Sequence, residues 1–125
     1  MKTILVDAWN TFVTADGINK EMQLLLDSFD NPKIIVTNAN TEELVTFGIV
    51  NMPYPVFSLS HNPNKSNPTY FGQLLSNYSL TNTNVVYFEH NEEASKAAQS
   101  LNIKTLWLER ESSLIELKQF LDNNL

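Results

Sequence analysis

The stretch "ILVDAWNTFV", Ile4 to Val13, carries three consecutive apolar residues into one acid and then into a polar turn. A short apolar run that ends at a turn reads as a strand buried on both faces, the kind found in parallel sheets. Asp7 follows the run, and Trp9 stands two residues later. Taken alone, an aspartate at a strand end terminates the strand or caps the turn. It acquires a chemical meaning only if the chain gathers other polar groups at the same sheet edge.

The remaining sequence supplies such a sheet. Strands are expected at Lys2 to Val6, Ile34 to Thr37, Pro55 to Leu59, Asn84 to Phe88 and Lys104 to Leu108. Helical patterns separate most of them. From Gly17 to Phe29, Ile18, Met22, Leu25 and Phe29 recur at helical spacing and make one apolar face. Thr41 to Phe47 reads as a brief helix capped by Asn40, with Glu43 three residues on, close to a capping box. Asn67 is the expected cap of a helix that opens on Pro68 and runs to about Tyr78. Further helices are expected at Glu92 to Leu101 and Ser112 to Asp122. Strands alternating with helices specify a single α/β domain over residues 1–125, with a doubly wound, mainly parallel five-stranded sheet covered on both faces.

Composition narrows the function classes. The chain has 125 residues, 42% of them hydrophobic, which suits one folded domain. Eight basic residues against fourteen acidic leave a net charge of -6, a balance that repels a phosphate backbone and argues against general nucleic-acid binding. The absence of cysteine excludes disulfides, thiolate metal sites and a cysteine nucleophile. No run of about 18 apolar residues is present, and the N-terminal stretch is too short for a signal peptide. A cytoplasmic protein is the resulting expectation.

Ligands of wound sheets bind beyond the carboxyl ends of the strands. The polar residues expected there are Asp7, Thr37 with Asn38, and Glu89 with His90, while Lys65 precedes a later helix. Each has an ordinary explanation as a turn, a cap or a solvated side chain. Their joint order is more informative.

That order resembles the haloacid dehalogenase superfamily, most of whose members are phosphatases. "TILVDAWNTF" is similar to the family's first motif, with Asp7 at the nucleophile and Thr11 at the motif's threonine. "IIVTN" is similar to the second, with Thr37 at the hydroxyl that binds the transferred group and Asn38 beside it. "KSNPTYFGQLL" resembles the stretch that carries the third motif's lysine, here Lys65. "VVYFEHNEEASKAAQSLNIKTLWL" resembles the fourth motif and the helix and strand after it. The resemblance implies a three-layer Rossmann-like core. It also implies catalysis by Asp7, Thr37 and Lys65, and substrate contacts from Trp9, Thr11 and Asn38. A metal would be held by Asp7, Glu89 and His90.

In that chemistry a carboxylate attacks phosphorus and forms an aspartyl-phosphate, which water then hydrolyses. Mg²⁺ neutralises the phosphoryl charge. A second acid two residues after the nucleophile moves the proton of the leaving group, a contribution of about 10² to 10⁴ in rate.

The sequence departs from the family at three chemical positions. Trp9 stands in place of the second acid, where it reads as a hydrophobic plug over an open site, His90 in place of a metal-binding aspartate, and Ala94 in place of a later acid. Histidine suits Zn²⁺ or Mn²⁺ better than Mg²⁺. His61 and His90 are the remaining groups that titrate near neutral pH. Asn10 and Asn102 replace glycines, a mild change because asparagine tolerates left-handed backbone. The segments between the motifs leave no room for a cap domain. The resemblance therefore implies an open site, suited to a bulky or macromolecular substrate and of a kind that a neighbouring subunit often completes. Three functions remain: a capless phosphatase-type hydrolase with a divalent metal; a catalytically silent relative that binds without a metal; and, as a minor alternative, a dehalogenase, whose departing halide needs no proton.

Overall fold

The computed structural model describes residues 1–109 and 114–125. In chain order the elements are β1 (Thr3–Asp7), β2 (Val13–Thr14), β3 (Gly17–Ile18), α1 (Lys20–Asp27), β4 (Lys33–Thr37), α2 (Thr41–Thr46) and β5 (Val56–Ser58). They continue with α3 (Pro68–Asn77), a 3-10 turn (Asn82–Asn84), β6 (Val85–Glu89), α4 (Glu92–Gln99), β7 (Lys104–Trp107) and α5 (Leu114–Asn124). The main sheet has five strands in the order β5-β4-β1-β6-β7. Every pairing in it is parallel. The expected wound α/β core is present, and no cap is inserted after β1 or β4.

Strand alternation divides the core. Ile4 and Val6 of β1 join Ile35, Val86 and Phe88 on one face, where Met22 and Leu26 of α1 and Leu117 and Leu121 of α5 cover them. Leu5 points the other way, with Ile34, Val36, Val85 and Tyr87, beneath Tyr70, Phe71 and Leu74 of α3 and Ala97 and Ala98 of α4. All five residues of β1 are buried. At about 1.5–3 kcal/mol for each large apolar side chain removed from water, the central strand is a principal source of stability and a rigid mount for Asp7.

Local signals set the element boundaries. Asn40 caps α2, and Glu43 reciprocates to complete the capping box. Asn67 caps α3 and Pro68 takes its first turn. Asn10 (φ 67) and Asn102 (φ 59) adopt the left-handed conformation that asparagine tolerates.

The helix expected from Gly17 instead starts at Lys20, because Asn19 accepts the Met22 backbone N–H as its cap. Before it, Val13–Thr14 and Gly17–Ile18 form an antiparallel hairpin that turns at Ala15–Asp16 and re-enters the second strand at Gly17, whose φ of 100 suits glycine. The first strand extends through Asp7 itself, which pairs with Val36. Ser112, the expected start of the last helix, lies outside the described residues. Among the described residues no helix is long and apolar enough to cross a membrane.

Candidate active site

Asp7 ends β1 at the centre of the sheet, with Thr37 ending β4 on one side and Glu89 ending β6 on the other. Parallel pairing alone brings these three ends together. Lys65 arrives from the loop before α3. Its backbone N–H donates to Asn38 Oδ1 at 2.6 Å, and the Asn38 carbonyl accepts the His61 N–H at 3.0 Å. Asn38 thus fastens the lysine's loop to the end of β4.

The Lys65 ammonium lies 2.8 Å from Asp7 Oδ1 and 2.7 Å from Glu89 Oε1. All three residues are buried, Lys65 being 7% exposed, Asp7 1% and Glu89 0%. Burial works against a charged carboxylate at Asp7, but the Lys65 ammonium and the hydrogen bond from His90 outweigh it and hold the group well below the usual carboxylate range. Burial likewise works against the Lys65 charge, and the Asp7 and Glu89 carboxylates reverse that, leaving it more firmly protonated than a free lysine.

The other Asp7 oxygen, Oδ2, accepts the Thr11 hydroxyl at 2.6 Å and the His90 backbone N–H at 3.2 Å. It also meets the His90 ring through Nδ1. That same nitrogen is 3.3 Å from Glu89 Oε2. Hydrogen bonds to Asp7 and then Glu89 push the His90 pKa up to about 10, so the imidazole is a cation at neutral pH.

These groups face a cavity of about 490 Å³ lined by Asp7, Thr37, Asn38, Lys65, Glu89 and His90. Thr37 Oγ1 accepts the Ala39 N–H at 3.2 Å, which leaves its own proton available to a ligand. Trp9 and Phe47 form an aromatic part of the lining, with ring centroids 4.5 Å apart and planes 21° from parallel. Of the eight residues singled out in the sequence, seven line this cavity. Thr11 sits behind Asp7 and orients it.

Three further contributors were not assigned these roles from sequence. Tyr87, within an apolar run, donates to Glu89. The Tyr70 hydroxyl accepts the Thr37 N–H at 3.1 Å and lies within hydrogen-bonding distance of the Thr37 and Phe57 carbonyls, bracing the end of β4. At the rim, His61 bridges Glu43 Oε1 at 2.5 Å and Asn64 Oδ1 at 3.0 Å, and the Glu43 contact raises its pKa. Tyr87 is concealed by its apolar neighbours although its partner lies two residues on in the same strand, and Tyr70 because its partners come from two strands distant in sequence.

No protein-family model matches the chain, and no curated protein matches it. Solved structures do. One is a haloacid dehalogenase-family enzyme from Bacteroides thetaiotaomicron, a mutant with an aspartate replaced by alanine, in complex with magnesium and inorganic phosphate. It aligns with a TM-score of 0.75 at 12% identity, over 94% of this chain and 98% of its own. Another is the core domain of a protein assigned as a phosphoglycolate phosphatase from Streptococcus pneumoniae, with a TM-score of 0.65 at 14% identity, over 98% of this chain and 96% of its own. The fold is that of the haloacid dehalogenase core. At these identities the likeness concerns the fold, and the chemistry rests on the site.

The magnesium of the first of these structures poses a question for the donor set here. Asp7, Glu89 and His90 each offer one ligand atom, all within 4.8 Å of one another. Mg²⁺ requires a near-octahedral shell of hard oxygens, whereas this set includes an imidazole nitrogen. Asp7 Oδ2 already accepts from Thr11 and His90. The charges also close without an ion, since two carboxylates face the Lys65 ammonium and the His90 imidazolium. Adding a dication would leave a surplus of positive charge in a buried site. The residues present do not fit Mg²⁺. Zn²⁺ and Mn²⁺ accept imidazole, but either would have to displace the proton that both carboxylates hold on His90.

Proposed function

We propose that this protein, which carries a haloacid dehalogenase-type core, is a phosphatase-type hydrolase that uses Asp7 as its nucleophile and needs no metal ion to neutralise its substrate. The observation that supports this reading is the ionised Asp7 carboxylate at a cavity wall that also presents Lys65, His90 and the Thr37 hydroxyl. A phosphoryl group carries negative charge that would repel an anionic nucleophile, and two adjacent cations, which Asp7 and Glu89 already balance, offset part of that repulsion.

In the first step an Asp7 oxygen bonds to phosphorus while the bond from phosphorus to the leaving oxygen breaks, and the electron pair departs with that oxygen. In the second, water attacks the phosphorus of the aspartyl-phosphate, which returns the carboxylate and releases phosphate and the water's proton. Trp9 provides no titratable group for either transfer, so leaving groups that depart as stable anions are favoured and the covalent intermediate is expected to accumulate. The open cavity and the lack of a cap suit a bulky substrate, and a cytoplasmic setting belongs to the same proposal.

The test is incubation with 4-nitrophenyl phosphate, with intact-mass analysis of the protein and release of nitrophenolate read together. The expected result is a rapid first turnover, a mass increase of one phosphoryl group, and loss of both in Asp7→Asn. Turnover that survives Asp7→Asn would defeat the reading.

A second reading draws on one observation: both Asp7 oxygens are committed, Oδ1 to Lys65 and Oδ2 to Thr11 and His90. A carboxylate so engaged is a weakened nucleophile, and the site then serves to bind an anion without reacting. Binding of phosphate with no covalent adduct and no nitrophenolate would favour this alternative.

A further inference from the structure

Trp9 is both a substitution for an acid and a structural feature in its own right. It follows the buried Ala8, pairs with Val13 through an isolated bridge, and precedes Asn10 in its left-handed conformation. The backbone therefore fixes where the indole starts. The ring lies against Phe47, just past the end of α2, in an offset stack, and both rings line the cavity that holds Asp7 and Lys65. The indole N–H has no acceptor among the described residues. Since no buried side-chain polar atom lacks a partner, that N–H is reached by solvent. A flat apolar surface with one free donor thus stands beside a seat for an anion. At about 490 Å³ the cavity exceeds what a phosphoryl group fills and lies within the range of small-molecule sites.

We propose that the site selects ligands whose anionic group is carried on a planar aromatic ring, with that ring lying on the Trp9–Phe47 pair and the indole N–H available to a polar atom of the ligand. The inference deepens the hydrolase reading and rests on it only for the anion seat. It agrees with the chemistry: an aromatic oxygen departs as a stabilised anion, which suits a site with indole where a proton donor would otherwise act. Stacking of a ring on an aromatic wall adds roughly three- to tenfold in affinity beyond simple burial. Packing on Phe47 explains the stack, and the N–H, which meets no acceptor among the described residues, stays open to a ligand.

The test uses phosphonates, whose carbon–phosphorus bond is not hydrolysed, so binding is measured apart from turnover. Affinities of the wild-type protein for phenylphosphonate and cyclohexylphosphonate are compared by calorimetry. These two probes share charge and approximate size and differ in planarity and π character. The expected result is three- to tenfold tighter binding of the aromatic probe, a ratio that falls toward one in Trp9→Leu and in Phe47→Leu. The Trp9 indole N–H proton resonance, assigned by comparison with Trp107→Phe, is expected to shift when phenylphosphonate binds. Equal affinity for the two probes, failure of phenylphosphonate to bind at millimolar concentration, or an unmoved Trp9 resonance overturns the proposal. Aromatic preference without any turnover of aryl phosphates would instead remove the hydrolase reading and leave this one standing. Turnover without aromatic preference would do the reverse.

Discussion

The Lys65 ammonium lies 2.8 Å from Asp7 Oδ1 although 58 residues separate the two in sequence. The contact joins the central strand to the loop before α3, and Glu89 Oε1 completes it at 2.7 Å on the far side of the same ammonium. Lys65→Met keeps much of the side chain's volume and removes its charge, leaving two carboxylates facing each other in a buried space. Breaking a buried ion pair from one side typically costs about 3–5 kcal/mol. The expected loss in urea unfolding at pH 7 is of that size, and it shrinks at low pH as the carboxylates take up protons. A loss below about 1 kcal/mol would show that the network is not closed in the way described.

His90 and Asp7 give stability a defined pH window. The folded-state pKa of His90 is raised to about 10 from 6.5, so its contribution is complete below pH 6.5 and is lost as the pH rises through 10. The folded-state pKa of Asp7 lies below its ordinary 3.8, so its contribution is present above that value and is lost as the pH falls through the depressed one. Together these place the maximum roughly between pH 4 and 6.5, with a decline on the alkaline side. His90→Gln is expected to flatten the decline between pH 6.5 and 10. A wild-type curve level across that interval would contradict the His90–Asp7 pairing.

Much of this arrangement was legible in the sequence because it depends on local rules. The Asn40–Glu43 capping box, the Asn67–Pro68 helix start and the left-handed Asn10 and Asn102 follow from what those side chains do to their own backbone. The convergence of Asp7, Thr37 and Glu89 follows from parallel strands ending on one rim. The hairpin of Val13–Thr14 and Gly17–Ile18 was not legible, since two-residue strands are too short to show alternation. The role of His90 was not legible either. In sequence it stood where a metal ligand was expected, and only the shared contact with Asp7 and Glu89 reveals it as the second cation. Charge balance is a property of the assembled site, and no window of sequence contains all four of its members.

That balance predicts the response to magnesium. A ligand that binds only the native state raises the melting temperature, and does so further as its concentration rises above its Kd. With the site already neutral, millimolar Mg²⁺ is expected to leave the wild-type melting temperature unchanged. His90→Asp replaces a cation with a hard oxygen donor, which turns a neutral cluster into one with two surplus negative charges. This variant is expected to be less stable than wild type without metal and to regain stability as Mg²⁺ is added. A wild-type protein stabilised by Mg²⁺ to the same extent as His90→Asp would refute the charge argument.

The last prediction concerns what Trp9 withholds. If departure of the leaving group goes unassisted, rates across a series of phosphate esters fall steeply as the leaving group becomes more basic, because its oxygen bears the full developing charge. Trp9→Asp introduces a carboxyl group at the position where the resemblance places the missing acid. It also removes the stack with Phe47 and adds a negative charge, so some loss of stability accompanies it. The informative quantity is therefore the slope of log rate against leaving-group basicity, because the variants differ in overall rate for several reasons. Proton transfer from a positioned carboxyl contributes about 10² to 10⁴ where the leaving group is basic and little where it is not. Trp9→Asp is accordingly expected to flatten the slope by accelerating alkyl phosphates while aryl phosphates gain nothing or slow down as they lose the aromatic wall. Parallel slopes in the two proteins would mean that Trp9 does not occupy the proton donor's place, and that the seat of the leaving group lies elsewhere in the cavity.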